Sequence, residues 1–394
     1  MRKIPSLSRS YTLNRLQDRS RAAAEEHNNY RGFNHHNWLL SIRWIFKGSG
    51  SNMFIPLGVS TLFSAAVVVT VELLHAREQV DLDTDVTTGL SGCMALLLAF
   101  RLNVCYSRWW EGRLLWGRVI EGARSLVTIA LALEADAEPG SEEAKYKRGF
   151  AEGLAGWSIA FAVALKFHLR GDAFEGDKCE AQISRLLKGK GLAFGSTAIH
   201  RLKQSRHPPL HALRSIRHAI RRVVRESRSE GAEVIALENQ FNTISSEFHI
   251  ALTGCERILR TPCPPGYVGV LRVSLVFFLM LLPFVLLEIG YWLIPVVFCT
   301  GFVLLGAEEV AIQLEQPFGD DQNDLPLDSY CYTLEADLMS LLDEKVEALA
   351  EMSEEDMNAP SRFRPPRPPR PPRPLRPSHE ALLRRPLQEG HEEG

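Results

Sequence analysis

The strongest constraint on the fold lies in residues 89 to 118, GLSGCMALLLAFRLNVCYSRWWEGRLLWGR, where an uncharged apolar stretch runs into one dense in Arg and Trp. Residues 89 to 100 carry no charge, whereas residues 101 to 124 carry five Arg (101, 108, 113, 118 and 124) against two Glu (111 and 121). No Pro interrupts either half, so one helix is free to start in an apolar medium and continue into water. A chain built around such a helix needs a membrane at one end and a soluble bundle at the other.

Three further apolar runs supply the rest of a membrane domain. Residues 53 to 74, MFIPLGVSTLFSAAVVVTVELL, hold one charge, Glu72, and at about 1.5 Å per residue they are long enough to cross a hydrocarbon core. Residues 1 to 52 carry nine Lys or Arg against three acids, with Arg43, Trp44 and Lys47 beside the span. That places this basic segment in the cytosol by the positive-inside tendency. The Arg- and Ser-rich first 24 residues also fit an organelle-targeting peptide, with Asp18, Glu25 and Glu26 weighing against it. The linker 75 to 88, with four acids and one Arg, belongs on the opposite side, and Asp85 to Thr88 suit the N-cap of a second span at about 87 to 103. Residues 268 to 287 and 291 to 307 read as an antiparallel pair with almost no connection, in which Pro283 and Pro295 are expected to kink or thin the helices. Four spans put both termini in the cytosol, or in the stroma if the membrane is a plastid's; plasma and organelle membranes both remain open.

The polar regions, 104 to 262 and 308 to 340, read as cytosolic helices. One apolar run among them, 150 to 167, is long enough to cross a membrane. Crossing would carry the nine basic residues of 201 to 228 outside, so a buried helix of the cytosolic bundle is expected instead. In the basic segment, Leu213, Ile216, Ile220 and Val224 recur at helical spacing and give one buried and one basic face. His207 and His211 are separated by Pro208 and Pro209, which argues against a metal pair on one helix. The seven Cys form no CxxC pair, so neither a disulfide framework nor a zinc site is expected from them. No GxSxG, HExxH or phosphate-loop motif occurs, and an enzyme is not expected. Residues 341 to 394 form an acidic and then Pro/Arg-rich tail, in which RFRPPRPPRPPRPLRP at 362 to 377 has the pattern of a polyproline II segment, a possible ligand for a polyproline-reading partner.

The run FRLNVCYSRWWEGRLLWG at 100 to 117, followed downstream by CERILRTP at 255 to 262 and QLEQPFGDDQNDLPLD at 313 to 328, resembles the signature of the bestrophin family of pentameric ion channels. The resemblance spans roughly residues 38 to 340. It implies an all-α polytopic membrane protein, with four transmembrane helices continuing into a cytosolic helical bundle, assembled as a homopentamer around the second span. The expected function is passive conduction of chloride and other small monovalent anions, with no cofactor required and no nucleic-acid partner.

Aligned on Arg108-Trp109-Trp110, the resemblance places the apolar pore neck at Gly92, Leu96 and Phe100. An apolar constriction of this kind gates by dewetting, and the positive edge of the Phe100 ring suits an anion. Gly92 departs from the bulkier residue of most relatives, which implies a wider outer neck. Arg101 is expected to attract anions at the cytosolic mouth, within a motif completed by Asn103, Arg108, Trp109, Trp110 and Glu111. Gln313, Gln316, Asp321 and Asp324 fall where animal bestrophins hold Ca2+, and oxygen donors at a tight turn suit that ion. Two alternatives stay open: a cation-selective pore of the same fold, and a non-conducting membrane scaffold recruiting partners through the Pro-rich tail.

Overall fold

The computed structural model describes residues 51–74, 84–138, 140–171, 176–187, 195–226 and 232–343, and their regular structure is helical throughout. These residues belong to one unit, Met1–Glu344; the second unit, Lys345–Gly394, lies outside the described residues. So do the basic N-terminal segment up to residue 50, the linker 75–83 and the Pro/Arg run at 362 to 377.

The chain runs through α1 (Ser51–Leu73), α2 (Thr84–Ala135), α3 (Glu142–Arg170), α4 (Gly176–Leu187), α5 (Ser196–Gln204), α6 (Pro208–Glu226) and α7 (Ala232–Arg260), then α8 (Pro265–Val285), α9 (Leu293–Glu315) and α10 (Leu327–Asp343). α2 is continuous over 52 residues, which at 1.5 Å per residue is about 78 Å. Its upper part packs with α1, α8 and α9 around Met53, Leu57, Met94, Leu275, Phe278 and Leu279. Its lower part joins α3, α6, α7 and α10 in a larger core that contains Trp116, Phe161, Phe241 and Phe248. Close approach needs small residues at these crossings: a Cβ on Gly301 of α9 would lie 2.9 Å from Leu57, and one on Gly254 of α7 would lie 2.7 Å from Leu115.

Among the described residues, five stretches are long and apolar enough to span a membrane, Glu142–Arg170 of α3 among them. α3 buries 83 % of its most apolar stretch inside the chain, against 22 to 33 % for the other four. A helix so largely covered by its own chain leaves little surface for lipid. Hydroxyls within α1 bond back along their own helix, Ser60 and Thr61 to the Leu57 carbonyl and Ser64 to that of Ser60, as an apolar medium requires.

Between α8 and α9 the chain reverses through a short 3₁₀ turn, Leu287–Trp292, in which Gly290 takes φ 61°. Only glycine enters that region without steric cost. Pro283 sits inside α8, as a kinking proline would. Pro295 does not kink α9: it falls in the first turn, where its missing N–H costs no hydrogen bond.

Candidate functional site

Gly92, Leu96 and Phe100 recur every four residues and share one side of α2. All three are exposed in the single chain, with Leu96 and Phe100 more than half exposed. Neither large side chain is packed away by another helix of the same chain. Below them the exposed residues Asn103, Ser107 and Trp110 prolong the stripe, and the Ser107 hydroxyl donates to the Asn103 carbonyl. The stripe therefore turns from apolar to polar where the sequence turns charged.

Arg101 does not extend that stripe. It is 0 % exposed and points into the chain, where its guanidinium meets Glu315 at 2.6 Å and Glu308 at 3.5 Å. Glu308 also pairs with Arg272 of α8 at 3.0 Å. The expectation of a free cation at the pore mouth is corrected accordingly, because two carboxylates of α9 neutralise it. A buried charge is tolerable only when so paired, and this pairing ties α2 to α9.

Arg108 acts on backbone. Its guanidinium donates to the Ile258 and Thr261 carbonyls at 2.6 and 2.7 Å and to the Glu315 carbonyl at 3.2 Å. These carbonyls lie in the last turns of α7 and α9 or just past the end of α7, where they lack partners within the helix and carry the negative ends of two helix dipoles. One side chain thus caps two helices. Trp109 donates from Nε1 to the Asn323 carbonyl at 2.9 Å and stacks between Tyr106 and Trp110. Glu111 pairs with Arg257. At Gly112 an added Cβ would lie 3.1 Å from the Phe318 ring and 3.3 Å from Leu325, so the missing side chain is the seat of the 316–326 loop.

That loop has several of its polar groups already engaged. Asp324, 1 % exposed, accepts from the Asp321 amide at 2.6 Å, and the Gln313 side-chain oxygen accepts from Asn323 Nδ2 at 2.5 Å. Burial pushes the Asp324 carboxyl up to about 7, against the opposing hydrogen bond from Asp321. Calcium wants six to eight oxygens, ionised carboxylates among them. Gln313, Gln316, Asp321 and Asp324 as arranged do not fit it, since Gln313 already accepts from Asn323, Asp324 accepts from the Asp321 amide, and Asp324 favours its proton.

Asp328, at the end of the same motif, accepts from Lys166 at 2.7 Å and Arg170 at 2.8 Å, both on α3. Burial opposes its charge, but the two cations outweigh burial and hold its carboxyl below the usual range. Sequence reasoning passed over it; the signal was Lys166, a lone cation near the end of an apolar run that a soluble bundle has to neutralise.

A model of the bacterial and fungal bestrophin proteins matches residues 34–340. The chain belongs to the bestrophin family. Among curated relatives, a voltage-dependent anion channel-forming protein of Synechocystis sp. is 32 % identical over 63 % of this chain and 74 % of its own length. Another of that description, from Escherichia coli K12, is 29 % identical over 78 % of this chain and 92 % of its own. A solved bacterial bestrophin homolog from Klebsiella pneumoniae superposes with a TM-score of 0.61 at 25 % identity, covering 75 % of this chain and 100 % of that one. The all-α membrane fold and the multi-pass character follow from these likenesses and from the apolar helices.

Proposed function

We propose that the protein is an anion channel, conducting chloride and other small monovalent anions through a pore that α2 lines in a homopentamer. The observation that carries this reading is the exposed stripe Gly92, Leu96 and Phe100, which no helix of the same chain covers. Symmetry copies brought together around α2 would remove these side chains from bulk water and form an apolar neck about 12 Å long. The names of the curated relatives support anions as the cargo. With α1, the upper half of α2, α8 and α9 in the membrane and α3 in the cytosolic bundle, four spans return both termini to the cytosol.

Because Arg101 is neutralised, anion preference in this reading rests on the ring edges at Phe100 and on the dewetting barrier. The same neutralisation favours one second reading, a cation-selective pore. Purified protein in planar bilayers under a KCl gradient tests both. A reversal potential shifted toward the chloride equilibrium value is expected, and a shift toward potassium would overturn the anion reading. The Phe100→Ala variant is expected to raise current and weaken anion selectivity.

A further inference from the structure

Away from α2, three side chains from three separate segments converge. His168 near the C-terminal end of α3 and His207 in the bend before α6 both direct Nε2 at one atom, Glu256 Oε1 on α7, at 2.7 and 3.0 Å. The two imidazole rings lie 4.6 Å apart, centroid to centroid. One ligand-competent atom from each residue lies within 4.8 Å of the other two, and all three residues are half-buried.

A carboxylate oxygen only accepts, so each Nε2 carries a proton in this arrangement. Two imidazoles thus converge on one oxygen. The donor set is two imidazole nitrogens and a carboxylate, drawn from three rigid segments, with solvent on one side. That is the three-ligand set of zinc sites that leave a fourth position to water, and it selects against the hard cations that prefer oxygen alone.

We propose that His168, His207 and Glu256 bind a divalent transition-metal ion, zinc above others, which clamps α3, the α5–α6 bend and α7 together. Binding displaces the proton from each Nε2. On His207 the other ring nitrogen faces the Leu210 amide at a long 3.4 Å, so a proton moved to Nδ1 costs only a weak contact. Arg260 lies 3.8 Å from Glu256 and is 67 % exposed, free to swing into water as the ion enters. The sequence hid this site because its nearest histidine neighbour, His211, stands across two prolines, whereas the true partners lie 39 and 49 residues away, counted from His207 to His168 and to Glu256.

The test uses the full-length protein in detergent, stripped with EDTA and dialysed. Zinc is expected to bind at one ion per chain and to raise the unfolding temperature, and cobalt at the same site is expected to give the visible absorption of four-coordinate Co2+. His207→Gln retains a donor for Glu256, so its metal-free unfolding temperature should match the parent while the zinc-dependent rise and the cobalt spectrum are lost. His211→Gln should keep both. Absence of zinc uptake by the parent, or uptake unchanged in His207→Gln, would overturn the assignment.

Discussion

α2 and α3 both contain apolar stretches long enough to cross a membrane, yet α3 hides its stretch inside the chain and α2 wears Leu96 and Phe100 outward. Apolarity says only that a segment leaves water; it does not say what replaces the water. The difference lies at the ends. α3 closes on Lys166, His168 and Arg170, each matched by a carboxylate elsewhere in the bundle. The apolar part of α2 ends on Arg101, matched within the chain, while its neighbours Phe100 and Asn103 remain exposed. One helix is completed by its own chain, and the other is completed by something outside it.

The same substitution placed in each helix is the sharpest way to break this contrast. Phe161→Ala in α3 removes a ring that meets Phe248 edge-on at 5.1 Å within the core, and is expected to cost about 3 to 5 kcal/mol in unfolding free energy. Phe100→Ala in α2 is expected to move stability by less than about 0.5 kcal/mol while changing the current. Equal losses of stability from both would sink the distinction. Next in size, Asp328→Ala leaves buried Lys166 without its carboxylate and Arg170 with Asp320 alone, and should cost about 3 kcal/mol, read as a lower unfolding temperature of the purified protein.

A pH-dependent effect follows from Asp324. Its carboxyl titrates near 7 in the fold, above its unfolded value of about 3.9, so the folded state favours the proton. Stability from this group is full below the unfolded value and falls as pH rises toward 7. Asp324→Asn should flatten that decline, seen as unfolding temperatures that differ from the parent above pH 7 and converge near pH 4. Gly112→Ala, which crowds Phe318, should cost about 1 kcal/mol and checks that the lower half of α2 is completed within the chain. At the bottom of the scale, adding or chelating calcium is expected to leave the unfolding temperature unchanged, since the Asp324 carboxyl favours its proton and Gln313 already accepts from Asn323.

Much of this architecture was legible beforehand because it rests on local signals. The Pro-free transition at 89 to 118 announced the unbroken α2, and the spacing of Leu213, Ile216, Ile220 and Val224 announced the buried face of α6, where all four are buried. What stayed hidden rests on distance in sequence. Arg101 looked like a free charge because Glu308 and Glu315, which neutralise it, lie more than two hundred residues on. Arg108 looked like a motif letter because a guanidinium that caps carbonyls leaves no trace in the residues it caps. Pro295 misled for the opposite reason: whether a proline bends a helix depends on where that helix starts.

The grip of Arg108 on the ends of both α7 and α9 bears on how a channel of this kind would open. A rod without a hinge, fastened to two others below its narrow part, turns only if they turn with it. In the proposed channel, therefore, a rotation of α2 that repositions Phe100 would strain the three Arg108 contacts unless the ends of α7 and α9 moved as well.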